Sequence, residues 1–353
     1  MQIKNKKLEI PVIQGGMGVG VSLSGLAGAV AAKGACGVIS SVNAGYDEPD
    51  FEKNPLEANI RALKKHIARA KQISKGAGLV AVNIMTAVSN YARTCISAVE
   101  AGADIIISGA GLPLNLPEFT KGTDTLCAPI VSSARAARII MKHYRKHFGV
   151  LPDMFIIEGS RAGGHLGFNE EELVSGTAKT NDEILSEVLS EVAKEDSNIP
   201  VFVAGGVYDG ADMAHYINAG AAGVQIATRF IATQECDAHD TFKQAIVNAR
   251  REDIQIIKSP VGMPARAVES PLLKRLRDGE VFRARKCNGC LSACKKDDSI
   301  PYCISRALIA AVRGDWENGL FFAGSNADRV DRIMSVSDLL DEIMTEYNAA
   351  VSV

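Results

Sequence analysis

Eight short apolar segments, each followed by a segment of helical periodicity, constrain the fold of this chain more than any other feature. Such uninterrupted apolar runs are typical of parallel strands that are buried on both faces. Eight β/α units within about 250 residues are the arrangement of a TIM (β/α)8 barrel. The predicted strands are residues 11–14, 37–40, 79–83, 105–108, 129–132, 154–157, 200–204 and 223–226. The predicted helices are residues 24–33, 54–75, 87–100, 134–148, 182–194, 210–219 and about 230–249, with a short or irregular helix in the proline-containing segment 109–122.

A doubly wound open sheet also alternates strands and helices, so it is the rival fold. Polar or glycine residues recur at the C-terminal end of nearly every predicted strand, as at Gln14, Asn83 and Glu158. In a barrel these ends converge on one mouth, whereas in an open sheet only a few of them meet. The pattern therefore favours the barrel.

The strand and helix pattern breaks near residue 256, where two prolines and a glycine occupy 258–264. We therefore predict a barrel over residues 1–255 and a smaller cysteine-containing C-terminal lobe over the barrel mouth at 256–329. An amphipathic segment at 330–347 predicts a last helix, and we expect region 330–353 to pack back on the barrel.

Composition excludes several classes of function. The chain has 353 residues, a net charge of −2 and only 5% aromatic residues. Neither the charge nor the aromatic content therefore supports nucleic-acid binding, which uses basic surfaces and base-stacking side chains. No apolar run approaches the roughly 20 residues of a membrane span. The N-terminal segment has no apolar signal core, so we expect a cytoplasmic protein without a membrane partner.

The segment 156–168 carries the clearest sign of chemistry. It runs from an apolar strand into a loop that holds Gly163, Gly164 and His165. Glycines let backbone N–H groups approach an anion or a flat ring closely, and histidine can take and give a proton near neutral pH. The alternative interpretation is a tight turn with a solvent-facing histidine.

Two further loops predict a phosphate site. Gly205 and Gly206 follow the seventh strand, and Ala227 and Thr228 follow the eighth. The last two loops of a barrel are where phosphate is usually held by backbone N–H groups. Ordinary turns and an N-cap threonine are the alternative interpretation.

These motifs together resemble the nitronate monooxygenase (2-nitropropane dioxygenase) family, and the similar FMN-dependent enoyl-[acyl-carrier-protein] reductases share them. The resemblance covers about residues 11–249. It is carried by the segments 14–17, 82–83, 108–111, 158–167, 204–210 and 223–230.

The resemblance implies noncovalently bound FMN, and it makes His165 the candidate base that removes the proton α to a nitro group or assists nitronate binding. The residues assigned to the cofactor site are Gly15, Gly16, Met17, Asn83, Glu158, Gly163, Gly164, Gly205, Gly206, Gln225, Ala227 and Thr228. Of these, Asn83 and Gln225 are assigned to the ring and ribityl side of FMN. Arg161 departs from the family pattern, because it stands where an acidic residue is common, and Ala227 replaces a usual glycine.

Nitronate oxidation with O₂ is the function that we expect from this resemblance. An NAD(P)H-dependent enoyl-[acyl-carrier-protein] reductase is the alternative, with NAD(P)H as a further candidate electron donor. A noncatalytic flavin or redox sensor is a second alternative. In each enzymatic case the partner is a small molecule, and the sequence leaves the oligomeric state, including a homo-oligomer, open.

Four of the eight cysteines are clustered, at Cys287, Cys290, Cys294 and Cys303. Disulfides are rare in the cytosol, so these residues are candidate thiolate ligands. They could hold a [4Fe–4S] cluster or zinc. The alternative is a set of reduced thiols in a turn of the lobe.

Overall fold

A computed structural model of the chain describes residues 1–195, 198–282, 287–292, 294 and 300–352. The predicted lobe and terminal region therefore lie partly outside the described residues. In chain order the strands are β1 (Gln2–Ile3), β2 (Lys6–Lys7), β3 (Val12–Gln14), β4 (Cys36–Ser40), β5 (Leu79–Met85), β6 (Ile105–Gly109), β7 (Leu126–Val131), β8 (Phe155–Glu158), β9 (Gly164–His165), β10 (Val201–Ala204), β11 (Gly223–Ile226), β12 (Ile254–Lys258), β13 (Pro264–Val268) and β14 (Phe321–Phe322).

The helices surround these strands. They are α1 (Ser24–Ala32), α2 (Pro55–Ser74), α3 (Tyr91–Glu100), α4 (Leu116–Thr120), α5 (Ala134–Phe148), α6 (Glu170–Ser175), α7 (Asn181–Ala193), α8 (Gly210–Asn218), α9 (Thr228–Ile231), α10 (Asp240–Val247), α11 (Pro271–Arg277), α12 (Ile304–Val312) and α13 (Val336–Val351).

Eight of the described strands close into a parallel barrel in the order β3, β4, β5, β6, β7, β8, β10, β11 and back to β3. The TIM-barrel prediction is confirmed. Alternate residues of each strand face opposite sides, so Ile156 and Phe202 fill the barrel interior while Ile157 and Val203 pack under the helices. Both faces are thus apolar, which explains why the strands read as continuous hydrophobic runs.

Local signals set several helix boundaries. The Ser133 hydroxyl caps α5, and Thr180 and Glu183 form a capping box at α7. Gly37 lies where α1 crosses β4, since a Cβ there would sit 1.9 Å from the carbonyl oxygen of Ala27. These residues fix how closely each helix packs on its strand.

The predicted long helix at about 230–249 is wrong. The structure has two shorter helices, α9 and α10, separated by residues 232–239. The Asp237 carboxylate in this interval accepts a backbone N–H bond from Leu23 at the start of α1, and the Thr233 hydroxyl donates back to the carbonyl of Phe230. A short helix, α6, also forms in segment 169–179, for which no element was predicted.

The lobe reaches back into the barrel mouth through a small antiparallel sheet. Strands β12 and β13 form a hairpin, so the element at 254–258 is a strand where the sequence predicted that regular structure ends. On its other side β13 pairs with β14 and with β9, which belongs to the loop after β8. The C-terminal helix α13 packs against α8 and α1 on the outside of the barrel.

Asp237 binds the N-terminal end of α1, the helix that follows β3 and its loop. Its carboxylate accepts backbone N–H bonds from Leu23 at 2.7 Å, Gly25 at 2.9 Å and Leu26 at 3.1 Å. We expect Asp237→Ala to lower the free energy of unfolding by about 2 kcal/mol, because these amides lose their partner. Urea unfolding followed by circular dichroism measures the change.

Asp331→Ala is the matched control, since Asp331 is exposed and pairs only with its neighbour Arg332 among the described residues. It should shift the unfolding free energy by less than about 0.5 kcal/mol. Equal destabilisation by the two substitutions would contradict this role of Asp237.

Candidate active site

A cavity of about 420 Å³ opens at the carboxyl ends of the barrel strands, under the lobe. The barrel contributes the end of β5 and residues from the loops after β3, β4, β6, β7, β8, β10 and β11. The lobe contributes part of the hairpin turn, α12 and the segment after β14. All the residues that the sequence assigned to the cofactor site line this one cavity, and so does His165.

One end of the cavity is built from glycine backbone. Gly205 and Gly206 have φ values of +88° and +101°, a region that favours glycine. A Cβ on Gly205 would lie 2.7 Å from the carbonyl oxygen of Gly159. Next to them, the Thr228 hydroxyl accepts the N–H of Gly324 at 2.9 Å. This end offers backbone groups of the kind that bind phosphate.

The part of the cavity around Gly16, Asn83 and Gln225 suits a flat ring. Gly16 packs so closely on Asn83 that a Cβ there would lie 2.4 Å from the Asn83 Cβ. Gln225 extends from β11 into the cavity, and its buried Oε1 has no hydrogen-bond partner among the described residues. A buried acceptor without a partner is costly, so a ligand that donates to it would be stabilised there.

His165 lies between the barrel and the lobe. It is the end of β9, which pairs with Ala265 of β13, and its Nε2 lies 2.8 Å from the Ser259 hydroxyl oxygen. The Phe322 and His165 rings pack edge to face, with their centroids 5.4 Å apart. Burial lowers the pKa of His165 to about 4, so the imidazole is neutral at physiological pH.

Glu158 is the second titratable group at the end of β8, and it also lines the cavity. Burial raises its pKa to about 7. The cavity thus holds a histidine that resists protonation and a carboxyl group that readily accepts a proton near neutral pH.

Arg266 ties the loop after β8 to the lobe. Its Nη1 donates to the carbonyl of Ser160 at 2.9 Å and to that of Ala162. Burial, followed by the charges of Arg251 and Arg161, lowers the pKa of Arg266 to about 10, and it stays cationic. Arg161 itself lines the cavity with an exposed side chain, so the departure noted in the sequence adds positive charge at this rim.

Sequence reasoning missed the contributions of the lobe. Ser259, Phe322 and Gly324 touch site residues that lie far away in the chain. The abundance of glycine and aromatic residues around 314–325 was the sole signal, and it names no partner. Of the clustered cysteines only Cys290 lines the cavity, and within the described residues no three His, Cys, Asp or Glu side chains are arranged to hold a metal ion.

Comparison with known proteins assigns the family. A family model described as nitronate monooxygenase matches residues 1–346. The chain belongs to the nitronate monooxygenase family. A probable nitronate monooxygenase of Bacillus subtilis is 24% identical over an alignment that spans 98% of each chain.

Other relatives carry different names. The (3aS,4S,5R,7aS)-5-hydroxy-7a-methyl-1-oxo-octahydro-1H-indene-4-carboxyl-CoA dehydrogenase of Mycobacterium tuberculosis is 28% identical, over 79% of this chain and 68% of that protein. The structure of FabK from Thermotoga maritima superposes with a TM-score of 0.74 at 26% identity, over 98% of this chain and 94% of that one. A nitroalkane oxidase from Streptomyces ansochromogenes shares the fold, with a TM-score of 0.73 at 20% identity over 98% of this chain and 97% of that one.

The family makes this chain an oxidoreductase of the FMN-dependent type that acts on small molecules. The cavity fits that cofactor, since it combines a glycine-built end, a close glycine–asparagine contact and the unpartnered Gln225 oxygen. Among the helices of the described residues, none has the length and apolar character that crossing a membrane requires.

The Gln225 oxygen gives a direct test of the fit. We expect Gln225→Leu to weaken FMN binding about tenfold or more, because a hydrogen bond to the cofactor is lost. The stability of the cofactor-free protein should be unchanged or higher, since the substitution removes a buried acceptor without a partner. Fluorescence titration of the apoprotein with FMN, together with thermal unfolding, measures both quantities.

Gln72→Leu, on the exposed face of α2, is the control and should leave FMN affinity unchanged. If Gln225→Leu bound FMN as tightly as the unmodified protein does, Gln225 would have no part in cofactor binding.

Proposed function

We propose that this chain is an FMN-dependent monooxygenase that oxidises alkyl nitronates with O₂, with His165 as its base. The observation that carries the proposal is the neutral His165 imidazole, held by Ser259 at the wall of a cavity that suits FMN. A base next to a redox cofactor is the arrangement needed to remove a proton α to a nitro group.

In this proposal the chain holds FMN at both ends of the cavity. Asn83 and Gln225 bind the ring and ribityl side, with the backbone of Gly15, Gly16 and Met17 against the ring. Gly163, Gly164, Gly205, Gly206, Ala227 and Thr228 surround the phosphate, and Glu158 lies beside them. When bound, FMN supplies the two-electron chemistry that links the substrate to O₂.

His165 handles the proton. In the proposed tautomer Nε2–H donates a hydrogen bond to Ser259 Oγ, which leaves Nδ1 as the basic nitrogen. With a nitroalkane, Nδ1 takes the α proton. With a nitronate, whose oxygens only accept hydrogen bonds, the other tautomer assists binding: Nδ1–H donates to the substrate, and the Ser259 hydroxyl donates to Nε2. Phe322 packs on the ring, and together with Ser259 it restricts the ring orientation and limits access of water.

A second candidate is an NAD(P)H-dependent enoyl-thioester reductase. Two observations favour it: a relative at 28% identity is named for a CoA thioester, and FabK superposes over almost the whole chain. The cavity wall includes apolar side chains from both barrel and lobe, which suit an acyl chain. These are Met85, Leu112, Ile130, Met263, Ile304, Leu308 and Phe322.

Anaerobic flavin reduction separates the two candidates. We expect the flavin of the purified protein to bleach rapidly with an alkyl nitronate and slowly with NADH or NADPH. Stopped-flow absorbance measures the rates, and an oxygen electrode then confirms O₂ consumption with nitronate in the absence of NAD(P)H. Fast bleaching by NADH or NADPH, with reoxidation by an enoyl thioester, would establish the reductase instead.

The pH profile tests the base. With a nitroalkane as substrate, kcat/KM should stay level from about pH 7 to pH 5 and fall below that with an apparent pKa of about 4. Activity falls at low pH because the base works only when it is unprotonated. Burial keeps His165 unprotonated to a pH below the ordinary histidine pKa of about 6.5. His165→Asn should lower kcat/KM by about 100-fold or more over the level part of the profile, where the base of the unmodified protein is unprotonated.

Retained flavin absorbance is the control for His165→Asn, because it shows that the cavity still forms. A variant with full nitroalkane activity would remove His165 from the mechanism. A fall centred near pH 6.5 in the unmodified protein would show that the base is not held as the structure describes.

A further inference from the structure

The clustered cysteines Cys287, Cys290, Cys294 and Cys303 are not used by the proposed function, yet one of them, Cys290, lines the cavity. All four are described and carry free thiols; Cys287 is exposed and the others are half-buried. Cys290 lines the same cavity as His165 and Gln225, next to Leu291.

Backbone bonds fix the position of Cys290. The Ser89 amide donates to the Cys290 carbonyl at 3.2 Å, and the Ser292 amide donates to that of Ala87 at 2.9 Å. Between them Val88 and Leu291 form an antiparallel bridge. The cysteine segment is therefore attached to the loop that follows β5, the strand that carries Asn83.

The four sulphurs share one neighbourhood. Cys290 and Cys294 pack against the same apolar cluster, which includes Leu291 and Tyr302. Cys303, Cys287 and Cys294 each lie close enough to Cys290 to interact with it electrostatically. Cys303 directly precedes α12, whose first residues, Ile304 and Ser305, line the cavity.

The surroundings of the cysteines include an N–H donor to sulphur and a nearby cation. The Gly289 amide donates to Cys287 Sγ at 3.3 Å, in a turn where Gly289 has a φ of +62°. Arg306, one helical turn after Cys303, bonds to Asn288, the neighbour of Cys287, at 3.3 Å and also to Glu52. N–H bonds to sulphur and a nearby cation both stabilise cluster-bound thiolates.

We propose that Cys287, Cys290, Cys294 and Cys303 bind a [4Fe–4S] cluster in the wall of the cofactor cavity. Four thiolates without a histidine suit iron–sulphur or zinc, and closely spaced cysteines followed by one more distant cysteine are typical of cubane clusters. Cys290 in the cavity wall favours iron, since a redox cofactor site is where a one-electron centre acts.

Binding changes protonation and side-chain positions in a defined way. Each cysteine binds iron as thiolate, so four thiol protons leave to solvent as four Fe–S bonds form. No three metal-binding side chains in the described part of the chain already converge on one point. The thiols must therefore turn inward when iron and sulfide are supplied, around the backbone positions that the bonds of Ser89, Ser292 and Gly289 fix.

The test uses the full-length protein, purified without oxygen and then reconstituted anaerobically with sulfide and equal parts of ferrous and ferric iron, the mixture of oxidation states that the oxidised cluster contains. We expect about four iron and four sulfide per chain, with a broad shoulder near 400 nm beyond the flavin bands. Dithionite should reduce this shoulder and produce a low-temperature electron paramagnetic resonance signal. None of these readouts depends on nitronate or enoyl-thioester turnover.

Cys287→Ser is the first variant, because the Cys287 side chain is exposed and its loss should leave the fold intact. Iron should fall to about one quarter or less, with flavin retained as the check on folding. Cys95→Ala is the matched control, since Cys95 is buried in α3 and should leave iron unchanged.

Other results would overturn the proposal. About one zinc per chain, with no iron uptake, would make the cysteines a structural site. Failure to take up iron under reconstitution, with four reactive thiols in the folded protein, would leave them as packing residues. Full iron content in both Cys287→Ser and Cys294→Ser would place any cluster elsewhere.

Discussion

Backbone pairing between β9 and β13 is the contact on which the site depends. It joins Gly164 and His165, in a barrel loop, to Arg266 and Ala265, in the lobe. The same hairpin supplies Ser259 to the His165 ring and the Arg266 guanidinium to the carbonyls of Ser160 and Ala162. The barrel therefore provides the candidate base, but the lobe determines how its imidazole is oriented and how deeply it is buried.

The barrel could be predicted from the sequence because its signal is local. Each strand is a short apolar run, such as Ile105–Gly109, and each is followed by a helix with its own boundary residues. The long helix predicted at about 230–249 was wrong for the opposite reason. Its central residues have acceptable helical periodicity, but Asp237 instead caps α1, more than 200 residues earlier in the chain. Tertiary hydrogen bonds overrode local propensity there.

The site shows the same division. Residues at the ends of strands could be expected to share one cavity from position alone, because a closed barrel brings all those ends together. Ser259 and Gly324 could not, since each bonds to a residue more than 90 positions away and neither belongs to a recognisable motif. A serine in a turn and a glycine in a loop carry no information about their partners until the lobe is in place. Arg161 could be singled out as unusual, but its position at the cavity rim required the structure.

Residues near the C-terminal end of the chain contact the glycine-built end of the cavity. Gly324 donates to Thr228, and Asn326 donates to the carbonyls of Gly206 and Val207. Since synthesis proceeds from the N-terminus and early regions fold first, the barrel strands are available before these residues leave the ribosome. The glycine-built end of the cavity is therefore completed last, by residues that follow every barrel strand in the chain.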